Sequence, residues 1–283
     1  MRVMTCLVAG VAGAGLATTA HAQLVSGFEL PQFTASASGE SFVGVEGWYQ
    51  PVVGGGEHQA YTYADNDLGL VQNPVGGNQF IGGRSGGSPA FARAQKNFDF
   101  SNGAFTIAYD MAANYDGVGD ATINLSSFSL QSDGAAADSF KSFIALNNFT
   151  DPTNPSAGFK AEFNVFDSTG AATNNLSPGA AWESLDTNSW YRQFITVDFA
   201  TNQVLAVTIL DLNTGSSSTA NPDGWFMTGG AASTLDLPTG LRFFVGGNEG
   251  NIMGWDNLYV VPAPASLMAF AGLAGLAGMR RRR

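Results

Sequence analysis

Between residue 23 and residue 260, stretch after stretch sets apolar side chains at every second position, and almost none sets them at helical spacing. The stretch "GFKAEFNVF" sets Phe159, Ala161, Phe163 and Val165 on one side and Lys160, Glu162 and Asn164 on the other. "YRQFITVDF" does the same with Tyr191, Gln193, Ile195, Val197 and Phe199. A strand turns successive side chains to opposite faces, so this pattern dictates sheets with one buried and one wet face. "VDFATNQVLAVTIL" reads as a hairpin whose tight turn is Ala200–Asn202. Further strands are expected at "AFARAQKNFDF", "AFTIAYDM", "ATINLSSFSL", "SFKSFIALNNF", "GLRFFVGG" and "MGWDNLYVV", with Gly, Asn, Asp, Ser and Pro clusters between them. More than ten strands of this kind predict an all-β chain of two packed antiparallel sheets. No repeat or compositional break divides residues 23–260, so they are expected to form one domain.

The two ends break the pattern. "MRVMTCLVAGVAGAGLATTAHAQ" has a cation at Arg2, an apolar run around Cys6–Leu16, and Ala20-His21-Ala22 before Gln23. These are the parts of a secretory signal peptide, expected over residues 1–22 with cleavage after Ala22. Its removal takes away Cys6, the only cysteine, and His21, leaving His58 as the only histidine. The exported domain then has no disulfide and no cysteine or histidine cluster for zinc.

Charge sharpens in the same way. The formal net charge is −11, and setting aside Arg2 and Arg280–Arg283 leaves seven cations against 23 carboxylates, about −16. Such a surface repels nucleic acid and anionic lipid, so neither is an expected partner of the domain.

Few residues are grouped for chemistry. Carboxylates are numerous but scattered, and no E-x-D-x-x-E string occurs. His58, in "GGGEHQAY", reads as a solvated loop histidine, and "GGRSGG" as a flexible hairpin loop, since it lacks the Gly-Lys-Ser/Thr ending of a phosphate loop. The Asp-rich turns carrying Asp65, Asn66 and Asp67, and Asp116 and Asp120, offer cation-binding oxygens, but Asp and Asn also favour turns for local reasons. Trp190 and Trp255 sit in strand patterns and are expected in the core; Trp225, in "NPDGWF", is the better sugar platform, with Trp48 a second candidate. No catalytic set is evident. A secreted glycan-active lyase or hydrolase, the alternative reading, would need His58, Tyr61 or Tyr63, and Arg84 to converge in one groove.

Two resemblances add to this. The tail Val261-Pro262-Ala263-Pro264-Ala265-Ser266, the apolar stretch Leu267–Met279 and Arg280, Arg281, Arg282 and Arg283 resemble a PEP-CTERM sorting signal, with Ala263 where that motif has glutamate. The resemblance implies a sorting signal over residues 261–283, an exosortase-type processing enzyme as partner, transient membrane insertion, and delivery to the cell surface or extracellular polysaccharide matrix. Thirteen helical residues reach about 20 Å, short of a hydrocarbon core of about 30 Å, which suits a transient anchor. The body, residues 23–260, resembles the jelly-roll sandwiches of concanavalin A-like and carbohydrate-binding modules. The shared features are Phe28, Glu29, Gly47 and Trp48 near the start and Asp256-Asn257-Leu258 near the end. That likeness implies neighbouring first and last strands, and a structural calcium held by Glu29 and Asp256. The two targeting signals, the acidic domain and the missing catalytic set make the expected function non-catalytic: structural, or weakly polysaccharide-binding.

Overall fold

The structure, a computed structural model, describes residues 23–51, 56–88, 90–117, 124–133, 136 and 138–263. The expected signal peptide, Asp120, and the tail with Pro264, Ser266 and Arg280–Arg283 lie outside these described residues.

The described residues form strands and, for helix, only three single turns of 3-10 type. In chain order the strands are β1 (Leu24–Ser26), β2 (Glu40–Ser41), β3 (Trp48–Tyr49), β4 (Gly56–Glu57), β5 (Gln59–Thr62) and β6 (Gln79–Arg84). There follow β7 (Ala92–Asn97), β8 (Ala104–Tyr115), β9 (Asn124–Gln131), β10 (Ile144–Phe149), β11 (Phe159–Phe166) and β12 (Ala172–Leu176). The last are β13 (Tyr191–Asp198), β14 (Gln203–Asp211), β15 (Ser217–Ala220), β16 (Gly240–Val245) and β17 (Asn251–Pro262).

They build two sheets of a jelly-roll sandwich. One runs β15-β14-β13-β8-β17-β6-β5-β2, with β1 also on β17; the other runs β12-β11-β10-β9-β16-β7-β3, with β4 on β7. Every strand pair is antiparallel except β4–β7. The alternation read from the sequence appears directly: Phe159, Ala161, Phe163 and Val165 of β11, and Ile195 and Val197 of β13, are buried between the sheets. Asn202 closes the β13–β14 hairpin with φ 58°, a conformation that Asn tolerates, and its amide donates to the carbonyls of Met227, Thr228 and Gly230.

Aromatic rings fill the interior. Trp48, Tyr109, Phe128, Phe243 and Trp255 form one continuous stack at its centre. Each buried ring of this kind contributes about 1.5–3 kcal/mol, which gives a core large enough to hold a chain without disulfides.

Strand β17 organises the first sheet. It pairs with β8 on one side; on the other it takes β6 along Ile252–Trp255 and β1 along Leu258–Val260. The first and last strands are therefore neighbours, as the resemblance implied. Strand β17 also runs through Val261 and Pro262, opposite Thr106 and Phe105, and Ala263 donates to the Ala104 carbonyl at 2.8 Å. The sandwich thus extends past residue 260, and the first residues assigned to the sorting motif belong to its last strand.

Candidate functional site

Where β17 changes partner from β6 to β1, its register against β8 slips between Asp256 and Tyr259, and Asn257 takes φ 47°. This bulge sets Asp256 on the outer face, directly opposite Asp110 of β8, and Asp110 in turn opposite Arg192 of β13. Two carboxylates facing each other across strands repel. The surroundings answer that repulsion with proton donors. Arg192 grips both Asp110 oxygens, Nε to Oδ1 at 2.5 Å and Nη2 to Oδ2 at 2.9 Å. The Asn73 amide spans the pair at 2.8 and 3.2 Å, the Asn257 amide reaches Asp110 at 2.8 Å, and the Tyr63 hydroxyl donates to Asp256 at 2.9 Å.

The loop from Tyr63 to Asn78 roofs this row with a second apolar cluster of Tyr61, Tyr63, Leu68, Leu70, Phe80, Ala112, Trp190 and Ile252. Both aspartates are thereby fully buried. Burial, reinforced by Asp110 and then Glu29, pushes the Asp256 carboxyl well above the usual range. Burial opposes the charge of Arg192, but the hydrogen bonds and charge of Asp110 outweigh it and hold the guanidinium protonated.

Glu29 and Asp256 both reach this loop. A Cβ on Gly76 would lie 2.4 Å from Oδ2 of the buried Asp256, and one on Gly77 would lie 2.0 Å from Oε1 of the partly exposed Glu29, whose side chain would have to move. Glu29 accepts the Gln79 N–H at 3.0 Å. These residues do not fit the structural calcium the resemblance implied. Calcium needs converging oxygen lone pairs, whereas Asp256 and Asp110 face N–H and O–H groups. The Val75 N–H, bonded to Asn73 Oδ1 at 3.1 Å, fixes the Asn73 amide with its NH2 toward the carboxylates. Among the described residues, no group of three or more His, Cys, Asp or Glu side chains is placed to hold a metal.

The set required for an enzyme does not assemble among Glu57–Arg84. His58 is not a solvated loop residue: it is 1% exposed, on the core side, with its ring 4.8 Å from Trp255. Tyr61 and Tyr63 stack on Phe80 on the opposite face, and Arg84 pairs with Asp116 at 2.7 Å. The sequence misplaced His58 because the glycine run before it looks like a loop; Gly56 and Glu57 instead form a parallel bridge, β4 to β7, that sequence does not announce. "GGRSGG" is likewise no free loop at its start. Gly82 and Gly83 lie inside β6, where added Cβ atoms would strike Leu68 and Ala92 at 2.7 Å each. In the Asp-rich turn, Asn66 folds inward and ties Tyr63 to Leu70 through three hydrogen bonds, a local role.

The tryptophans sort differently from expectation. Trp190 and Trp255 are buried, as read. Trp48 is buried too, stacked on Phe243 with Lys96 over its ring, so it presents no platform to a sugar. Trp225 is half-buried against Phe163 and closes one edge of the sandwich rather than standing free.

The arrangement best able to meet a ligand lies on the outer face of the eight-stranded sheet, and the sequence reading did not single it out. Register aligns two rows across its strands. One is Tyr49, Gln95, Arg242, Ser129, Ile144 and Asn164; the other is Glu57, Arg93, Phe244, Ser127, Leu146 and Glu162. Side chains within the rows brace one another. Arg242 Nε donates to Gln95 at 2.7 Å, and Gln95 donates to Asp133 at 2.8 Å. Arg93 lies over the Phe91 and Phe244 rings at 5.5 and 5.2 Å. Burial, then Asp133, pushes the Tyr49 phenol upward. Only strand pairing brings these residues together, which is why spacing along the chain could not reveal them.

No family model matches the sequence, and no curated protein matches it. Solved structures similar to the chain are found at low identity. The receptor-binding domain of botulinum neurotoxin type G is 12% identical with a TM-score of 0.37, over 79% of this chain and 46% of that one. The chain thus spans about half the length of that toxin domain. An alginate lyase from Aplysia kurodai is 12% identical with a TM-score of 0.38, over 66% and 84%. The cellulose-induced protein Cip1 is 12% identical with a TM-score of 0.44, over 76% and 90%. The class that emerges is an all-β jelly-roll sandwich protein.

Proposed function

We propose that this chain is an exported, non-catalytic β-sandwich of the cell surface or extracellular matrix that contacts polysaccharide through the outer face of its eight-stranded sheet. The observation that carries the reading is the pair of cross-strand rows there. Six strands spaced about 4.8 Å apart make a track about 24 Å long, lined by hydroxyl, amide, guanidinium and aromatic side chains together with Ile144, Leu146 and the carboxylates of Glu57 and Glu162. A sugar chain offers hydroxyls to the first three and C–H faces to the rings.

Export and sorting rest on the sequence: the signal peptide over residues 1–22 and the PEP-CTERM-like tail over 261–283. In this reading an exosortase-type enzyme receives the tail that follows β17 in the sequence.

A glycan array with the purified chain tests the binding, set against a Phe244→Ala variant. Binding weakened by the substitution, with melting unchanged, supports it; binding that Phe244→Ala leaves intact places the site elsewhere. Mass spectrometry of the cell-associated protein tests the sorting, since an intact C-terminus at Arg283 contradicts processing.

A further inference from the structure

We propose that the outer face of the eight-stranded sheet takes a polysaccharide bearing oxyanion substituents, with a carboxylate or sulfate group held between the guanidinium groups of Arg93 and Arg242. This rests on the sheet-face reading above and specifies its ligand.

The domain has four arginines, Arg84, Arg93, Arg192 and Arg242. Arg84 pairs with Asp116 and Arg192 with Asp110; among the described residues Arg93 and Arg242 pair with no carboxylate. That is notable where carboxylates outnumber cations 23 to seven once both ends are set aside. The two unpaired guanidiniums are also neighbours. Arg242 stands opposite Gln95, and Arg93 lies two residues before Gln95 on the same face. Such diagonal neighbours sit about 7–8 Å apart, a gap one oxyanion can bridge.

Both are held in place rather than left to roam. Arg93 rests on two phenyl rings, and Gln95 takes Arg242 through Nε, leaving the terminal N–H groups of Arg242 for a forked contact. Asp133, the nearest internal rival for Arg242, is engaged by Gln95 instead. Burial and the charge of Arg93 both push the Arg242 guanidinium downward, so an arriving anion relieves a repulsion the fold maintains. A free small anion would need only this one gap. The rows continue across six strands with Glu57 and Glu162 as their carboxylates, so a polymer would place one anion at this gap and its hydroxyls along the rest.

Affinity electrophoresis and calorimetry with polygalacturonate, dextran sulfate and neutral xylan test this, at low salt and at high salt. The chain should bind one or both acidic polymers at least about tenfold more tightly than xylan, with affinity falling as salt rises. Arg242→Gln and Arg93→Gln should each weaken that binding about tenfold or more, while Arg84→Gln leaves it unchanged. Thermal melting of each variant separates loss of binding from loss of fold, and Arg242→Lys should retain part of the affinity. Preference between the two acidic polymers identifies the oxyanion. Equal binding of xylan and acidic polymers, unmoved by the arginine substitutions but lost in Phe244→Ala, overturns the inference and leaves the sheet-face reading standing. No binding to any polymer overturns both.

Discussion

Asp110 and Asp256 face each other across β8 and β17, both fully buried, with a single guanidinium, that of Arg192, bound to one of them. The row Asp256–Asp110–Arg192 crosses three strands and sets two buried carboxylates beside one guanidinium. It also governs how stability should respond to mutation, metal and pH.

Removing the cation should be costly. Arg192→Ala leaves Asp110 buried beside Asp256 with no counter-charge, which typically destabilises by about 3–5 kcal/mol. In a domain of this size that is a fall of about 6–20 °C in Tm. Differential scanning calorimetry reads it, and a fall under about 3 °C would show that water reaches the row.

Chelator should leave the Tm of the unmodified chain where it is, because the groups around Asp256 donate protons rather than lone pairs. Asp256→Asn should hold or raise Tm at neutral pH, since it removes one of two opposed carboxylates while Asp110 keeps Arg192. A calcium held at Asp256 would give the reverse in both experiments: Tm lowered by chelator and by the substitution.

His58 makes the fold sensitive to acid. Burial lowers its imidazole to about 3, an effect the nearby Arg93 backbone only partly offsets. Between that value and the ordinary 6.5, the unfolded chain binds a proton that the folded one excludes. Stability is therefore complete above pH 6.5 and declines as pH falls toward 3, by up to about 5 kcal/mol from this group. His58→Phe should flatten that decline in denaturant titrations at pH 4 and pH 7, the values to compare on either side of the transition. Asp256 acts in the opposite sense. Its raised pKa weakens the fold as pH climbs from the unfolded aspartate value through the folded one, so Asp256→Asn should flatten the neutral side.

The two-glycine step beneath Glu29 and Asp256 should tolerate nothing larger. Gly77→Ala would bring its methyl to 2.0 Å from Glu29 Oε1, and Gly76→Ala to 2.4 Å from Asp256 Oδ2. Each is expected to cost about 1–3 kcal/mol. Gly77→Ala should be the milder if Glu29, which is partly exposed, swings outward; chemical denaturation ranks them.

Trp48→Ala should destabilise by about 3–5 kcal/mol, because it empties a fully buried site packed against Phe28, Phe42 and Phe243. Trp225→Ala should cost less and leave polysaccharide binding unchanged, because Trp225 lies at the sandwich edge. Loss of binding in the Trp225 variant at full stability would move the site away from the sheet face.

The alternation in β11 and β13 was legible because a strand's two faces are written into adjacent residues, and a sandwich needs only that each inner face be apolar. The same logic exposed the β13–β14 turn, the buried Trp190 and Trp255, and the closing strand that carries Asp256. Misreadings fell where glycine did structural work over long range. Gly82 and Gly83 look like a loop but allow close packing inside β6, and Gly56 belongs to a parallel bridge just before His58, whose imidazole lies in the core.

By itself the sequence determined that this chain makes strands, that they close over one aromatic core, and that its two ends read as export and sorting signals. Those follow from local alternation and from contiguous segments. Tertiary structure alone decided that Asp110, 146 positions before Asp256 in the chain, shares its burial, and that Arg93 and Arg242 stand side by side with no carboxylate paired to either among the described residues. Strand register sets those meetings, and register is a property of the whole sheet: pairings across β8–β17 and β7–β16 are fixed by the packing of every inner face at once.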